Sequence, residues 1–137
     1  MTGIDLVSVD NAVNSTQNRE DNEVLPGTNS FEKWMRIKLD AANGHMLTNF
    51  WIERDGDLPD GVVIKMGVTD TAATPTASAS TVATTTMADG RRYIFDTNVY
   101  DANNDTTRYI VVQEQVAGTA SGGSIESQDF EIGWSQT

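Results

Sequence analysis

NSFEKWMRIKL (29–39) and NFWIERDGDLPDGVVIKMGVT (49–69) decide the reading of this chain. Along the first block Phe31, Lys33, Met35, Ile37 and Leu39 fall on one side of an extended backbone, and Glu32, Trp34, Arg36 and Lys38 on the other. Two of the three Trp and two of the four Phe lie in these blocks. The alternation predicts a strand over 31–39. Asn43-Gly44 follows, a pair that tolerates the positive φ of a tight hairpin turn. A second strand is predicted over 47–54, with Phe50 and Ile52 opposed to Trp51. Residues 55–61 (DGDLPDG) are turn-rich, and 62–68 (VVIKMGV) read as a buried strand.

Working outward, residues 4–9 (IDLVSV) predict a short first strand, and 10–30 read as a polar arm or long loop ending in the Pro26-Gly27 turn signal. Residues 71–86 contain only Thr, Ala, Ser, Val and one Pro. With so few large side chains they predict an exposed edge strand or a long surface loop. Residues 107–116 predict a strong strand, with Tyr109 and Val111 on one face and Ile110, Val112, Glu114 and Val116 on the other. Residues 117–123 form a flexible connection. Phe130, Ile132 and Trp134 alternate with Glu131 and Gly133 near the end. The one helix candidate is a short turn around 87–96. The pattern predicts an all-β chain built as an antiparallel β-sandwich, with the jelly roll as one form of it. A single domain is expected, with a strand and polar arm over 1–30 and the sandwich over 31–137.

At 137 residues the chain is long enough for one core. Its net charge of −11 argues against direct nucleic-acid binding, which needs a field of Lys and Arg, and only nine basic residues exist. The absence of cysteine excludes disulfides and thiolate metal sites. The stretch MTGIDLVSVDNAVNS lacks the basic and apolar regions of a secretory signal, and no run approaches the length of a membrane span. The expectation is a soluble protein made in the cytoplasm, with no membrane partner.

Nothing in the motifs points to an enzyme. The single histidine, His45, stands beside a turn, and no nucleophile elbow surrounds any serine. Asp55, Asp57 and Asp60, and separately Asp101, Asn103 and Asp105, have the oxygen-rich look of a cation loop. The second group has an EF-hand opening, but Thr106 stands where that loop needs Gly and Val112 where it needs a bidentate Glu. Turn-forming Asp and Asn explain both loops, so no metal or other cofactor is expected. Trp34 reads in two ways. It packs under a loop or the second sheet, or it anchors a protein–protein contact. Trp34, Trp51 and Trp134 are also candidates for an aromatic platform that binds carbohydrate.

Several of these elements, taken in order, resemble small tailed-bacteriophage virion proteins. They are Ser30-Phe31-Glu32-Lys33-Trp34, then Asn49-Phe50-Trp51, then Gly56-Asp57-Leu58-Pro59-Asp60-Gly61-Val62, then Gly67-Val68-Thr69, and the small-residue run through Thr74-Pro75-Thr76. The resemblance spans residues 29–86 and implies a β-sandwich component of a particle, with no catalytic residues to carry over.

The function expected from these readings is that of a viral structural protein, a head decoration or cement protein binding across capsid subunits. Its partners would be the major capsid protein or other virion proteins, with homo-oligomeric assembly, and its place the virion. The expected contact residues are Trp34, Arg36 and the acidic arm residues Glu20, Asp21 and Glu23. A tail, neck or fibre sandwich is the rival within that class. A carbohydrate-binding module, with Trp51 or Trp134 exposed beside the Asp-rich loops, is the rival outside it.

Overall fold

β-branched and aromatic residues in alternation favour extended chain, and the computed structural model, which describes residues 7–10, 27–119 and 129–137, is built of strands alone. These are β1 (Val7–Asp10), β2 (Lys33–Leu39), β3 (Leu47–Asp55), β4 (Val62–Thr69), β5 (Thr85–Thr86), β6 (Arg92–Asp96), β7 (Tyr109–Val116) and β8 (Asp129–Gln136). Every pairing is antiparallel. One sheet runs β1-β2-β7-β4-β5 and the other β6-β3-β8. The pairs β4·β5, β3·β6 and β2·β7 nest inside one another, and β4·β7 and β3·β8 close the roll. From β2 to β8 this is the strand order of a jelly roll. The outermost nested pair, β1 with β8, is replaced by β1 with β2.

The two sheets pack through their apolar faces. Met35, Ile37, Leu39, Ile64, Met66, Ile110 and Val112 from the larger sheet meet Leu47, Phe50, Ile52 and Phe95 from the smaller. Each such side chain contributes about 1.5–3 kcal/mol when fully buried. Phe50 sits at the centre, with ring centroids 6.1 Å from Phe95, 5.8 Å from Tyr100 and 6.0 Å from Trp134.

Local chemistry shapes the connections. Asn43 and Gly44 do take positive φ (51° and 80°), but they do not close a hairpin. Both edges of β2 are already taken, by β1 and β7, so the turn carries the chain across to the second sheet. In β3 Asn49 has φ 52°, and the register with β8 breaks between Thr48 and Trp51. This bulge leaves Phe50 buried and Trp51 half-exposed.

The short turn around 87–96, the one helix candidate, is not helical. Phe95 is buried and Tyr93 half-buried, whereas Arg92 and Ile94 are exposed, so the period is two and the segment pairs with β3 as β6. The small-residue run splits. Thr85–Thr86 form the edge strand β5, while residues 70–84 cross the outer face of the larger sheet as a strap, burying Pro75, Ser80 and Ala83. Of the arm expected over 10–30, residues 11–26 lie outside the described residues.

Candidate functional site

The strap decides the fate of Trp34. The indole is 2% exposed, in a cluster with Ala83 and Val111 flanked by Val82 and Tyr109. It meets Tyr109 edge-on at 6.1 Å, and its Nε1–H donates to Glu32 Oε1 at 3.4 Å. Of its two readings, packing under a loop is the one found, and the indole offers no surface to a partner. Arg36 is half-buried, its guanidinium 4.8 Å from the centre of the Tyr109 ring. Glu20, Asp21 and Glu23 lie outside the described residues.

Beneath the strap runs a buried polar network. Glu32, 4% exposed, accepts from the Thr76 N–H at 3.1 Å and from Ser80 Oγ–H at 2.5 Å. Gln113, 1% exposed, accepts the Ser80 N–H at 2.9 Å and donates to the carbonyls of Ser30 and Ser78 at 3.0 and 2.7 Å. Glu32 thus ties the Trp34 indole to the strap, and Gln113 holds backbone groups of the strap and of Ser30. His45 Nδ1 lies 3.4 Å from the carbonyl of Thr137.

No described residue crosses the outer face of β6-β3-β8 in the same way. Register sets its rows: Ile94, Trp51 and Gly133 side by side, then Arg92, Glu53 and Glu131. Ile94 is 60% exposed. The Trp51 ring lies on Gly133, where a Cβ would collide with it, and the Arg92 guanidinium covers it at 3.9 Å. Arg92 also pairs with Glu53 at 3.5 Å. Glu53, Asp55 and Glu131 bring carboxylate oxygens within 4.8 Å of one another. Partial burial, then the neighbouring Asp55 and Glu131, push Glu53 above its ordinary range against the pull of Arg92. Among the described residues this is the one group of three or more His, Cys, Asp or Glu side chains whose ligand atoms converge so, but a hard cation takes six to eight oxygens.

Turn formation is the role expected of both Asp-rich loops. Of Asp55, Asp57 and Asp60, Asp55 alone joins the trio. In the other loop Asn103 Oδ1 accepts the Ala42 N–H at 2.9 Å and Asp105 Oδ2 the Ala102 N–H at 3.2 Å, so both serve turns.

An open cleft of about 400 Å³ lies at the edge of β6, lined by Asp70, residues 94–98 and Arg108. Its polar groups are engaged with one another. Asp96, 3% exposed, accepts from Asn98 N–H (2.9 Å), Tyr100 Oη–H (2.6 Å) and Arg108 N–H (3.0 Å). Arg108 Nε lies 2.7 Å from Asp70. Burial and the bond to Asp96 push the Tyr100 hydroxyl up to about 12.

The grouping of Trp51, Arg92, Ile94 and Gly133 was not apparent from sequence as a unit. Its one local sign is Gly133 between Ile132 and Trp134, since a lone glycine in a strand marks close approach. No family model matches this chain, and no curated protein or solved structure matches it either.

Proposed function

We propose that this chain is a structural protein of a tailed-bacteriophage particle, a head decoration protein that docks on the assembled capsid across joints between subunits. The observation that carries this reading is the exposed Ile94 beside the Trp51–Arg92 stack, on a face of β6-β3-β8 that no described residue straps. Trp and Arg are the residues that most often dominate protein interfaces, and here Trp51 and Arg92 are stacked beside the exposed Ile94. The stack is pre-ordered by Gly133 and the Glu53 ion pair, which lowers the entropy lost on docking. Many such contacts repeated over a lattice act together through avidity and resist its expansion. The net charge of −11 favours basic outer patches over packaged DNA. The sandwich fold and the resemblance of residues 29–86 to virion proteins support the same class.

Sugar stacking fits less well. Gly133 and the Arg92 guanidinium both lie against the Trp51 ring, while Trp134 packs against the core.

The test is the copy number of the chain per major capsid subunit, by quantitative mass spectrometry of gradient-purified particles. A ratio near one, or a simple fraction, supports decoration. A handful of copies moves the chain to the tail, neck or fibre, and absence from particles overturns the reading.

A further inference from the structure

β8 ends the smaller sheet, and its outer edge is where a jelly roll carries its first strand. Here β1 pairs with β2, and among the described residues nothing pairs with that edge. Thr137 and Met46 exchange both backbone bonds, at 3.1 and 3.2 Å, which fixes the direction of every polar group along β8. Residues 129, 131, 133 and 135 face β3. Phe130, Ile132, Trp134 and Gln136 therefore point their N–H and C=O groups outward. The register break between Thr48 and Trp51 adds its extra residue to β3, so the alternation along β8 is unbroken.

The edge lacks two of the usual blocks to pairing. Its eight residues, DFEIGWSQ, include no Pro and no Lys, the residues that commonly block a free edge. Its inner side chains are incompletely buried. Ile132 and Trp134 are only partly buried, and Phe130 is 39% exposed. On the outer side the edge is negative, with Glu131 drawn into the carboxylate trio with Glu53 and Asp55.

We propose that the β8 edge receives an extended strand from another protein, in which apolar residues alternate with Lys or Arg. Backbone bonds to Phe130, Ile132, Trp134 and Gln136 would supply affinity. The apolar residues would cover Phe130, Ile132 and Trp134, and the basic ones would meet Glu131 and its neighbours. A second copy of this chain fits poorly. Its first segment, IDLVSVD (4–10), brings Asp5 and Asp10 and no basic residue, and β8 itself brings Asp129 and Glu131. Like charges facing across a strand pair oppose pairing. The inference goes beyond the particle reading, because the site asks for a strand chemistry whatever the partner.

The experiment is amide hydrogen exchange by NMR on the full chain, with a capped Lys-Val heptapeptide alternating as KVKVKVK and a Glu-Val control, EVEVEVE. The expected result is slowed exchange, by about tenfold or more at saturation, at Phe130, Ile132, Trp134 and Gln136 with the basic peptide alone. Glu131, Gly133 and Ser135, already bonded to β3, should not change. Phe130→Pro removes one outward donor at an exposed position and should weaken binding about tenfold. Glu131→Lys, a surface change that keeps the edge, should reduce the preference for the basic peptide. Protection on another edge, none at all, or equal protection by both peptides would overturn the proposal. So would protection that grows with protein concentration without peptide, which would mean self-pairing.

Discussion

Gly67 of β4 lies directly beneath the carbonyl of Val82, so close that a Cβ on Gly67 would overlap it. The strap therefore crosses the larger sheet at the one residue of β4 without a side chain. Gly67→Ala is expected to lift the strap and destabilise the fold by about 1–3 kcal/mol, the usual cost of overpacking. Amide exchange should quicken most at Ser80 and Ala83, whose N–H groups bond Gln113 Oε1 and Ser80 Oγ. Wild-type exchange at both amides would show that the strap does not depend on this crossing.

Glu32 tests the same device from its polar side. Glu32→Ala would strand the Thr76 N–H and the Ser80 hydroxyl in a buried site. The expected loss is about 1–3 kcal/mol by denaturant unfolding. Glu32→Gln keeps one acceptor oxygen and should lose less. Equal losses in the two variants would mean that side-chain volume, not hydrogen bonding, is what Glu32 contributes.

Alternation in the sequence carries the inner faces. Met35, Ile37, Phe50, Ile52, Ile110 and Val112 are all legible as inward positions, because one buried face imposes a period of two. What covers an outer face is not written in any local period. Trp34 is buried by Ala83 and Val82, small residues in a stretch with no pattern; their N–H groups bond Ser80 Oγ, and Ser80 is itself held by bonds that span 48 positions to Glu32 and 33 to Gln113. The register that sets Arg92 and Gly133 on either side of Trp51 is equally non-local. Of the residues expected to bind a partner, Trp34 fails for this reason and Arg36 is tied to Tyr109.

Gly133 stands to Trp51 as Gly67 does to the strap. Gly133→Ala should push the indole off the sheet, with a cost of about 1–3 kcal/mol and a change in near-ultraviolet circular dichroism. Trp51→Ala should be far milder for folding than Phe50→Ala, which removes a fully buried ring and should cost about 3–5 kcal/mol. If the face docks on a particle, Trp51→Ala should nevertheless abolish co-sedimentation with it. A folded Trp51→Ala protein that co-sediments like wild type would remove this face from the interface.

Glu114 gives the fold a pH dependence of unusual sign. Among the described residues no group hydrogen-bonds its buried Oε1, and burial raises its pKa above the ordinary 4.5. In the unfolded chain the group ionises at its ordinary value. Between that value and the raised one the folded chain keeps a proton that the unfolded chain has released. Stability therefore falls as pH rises through this window, and the loss is complete above the folded value. Acidification from neutrality toward 4.5 should restore it. Glu114→Gln cannot ionise, so its Tm should exceed that of wild type at neutral pH, and the two curves should converge as pH falls. The difference between the curves isolates this residue from Glu53, which shifts in the same direction. A difference independent of pH would mean that the buried carboxylate is already neutral throughout, or that it finds a partner in solution.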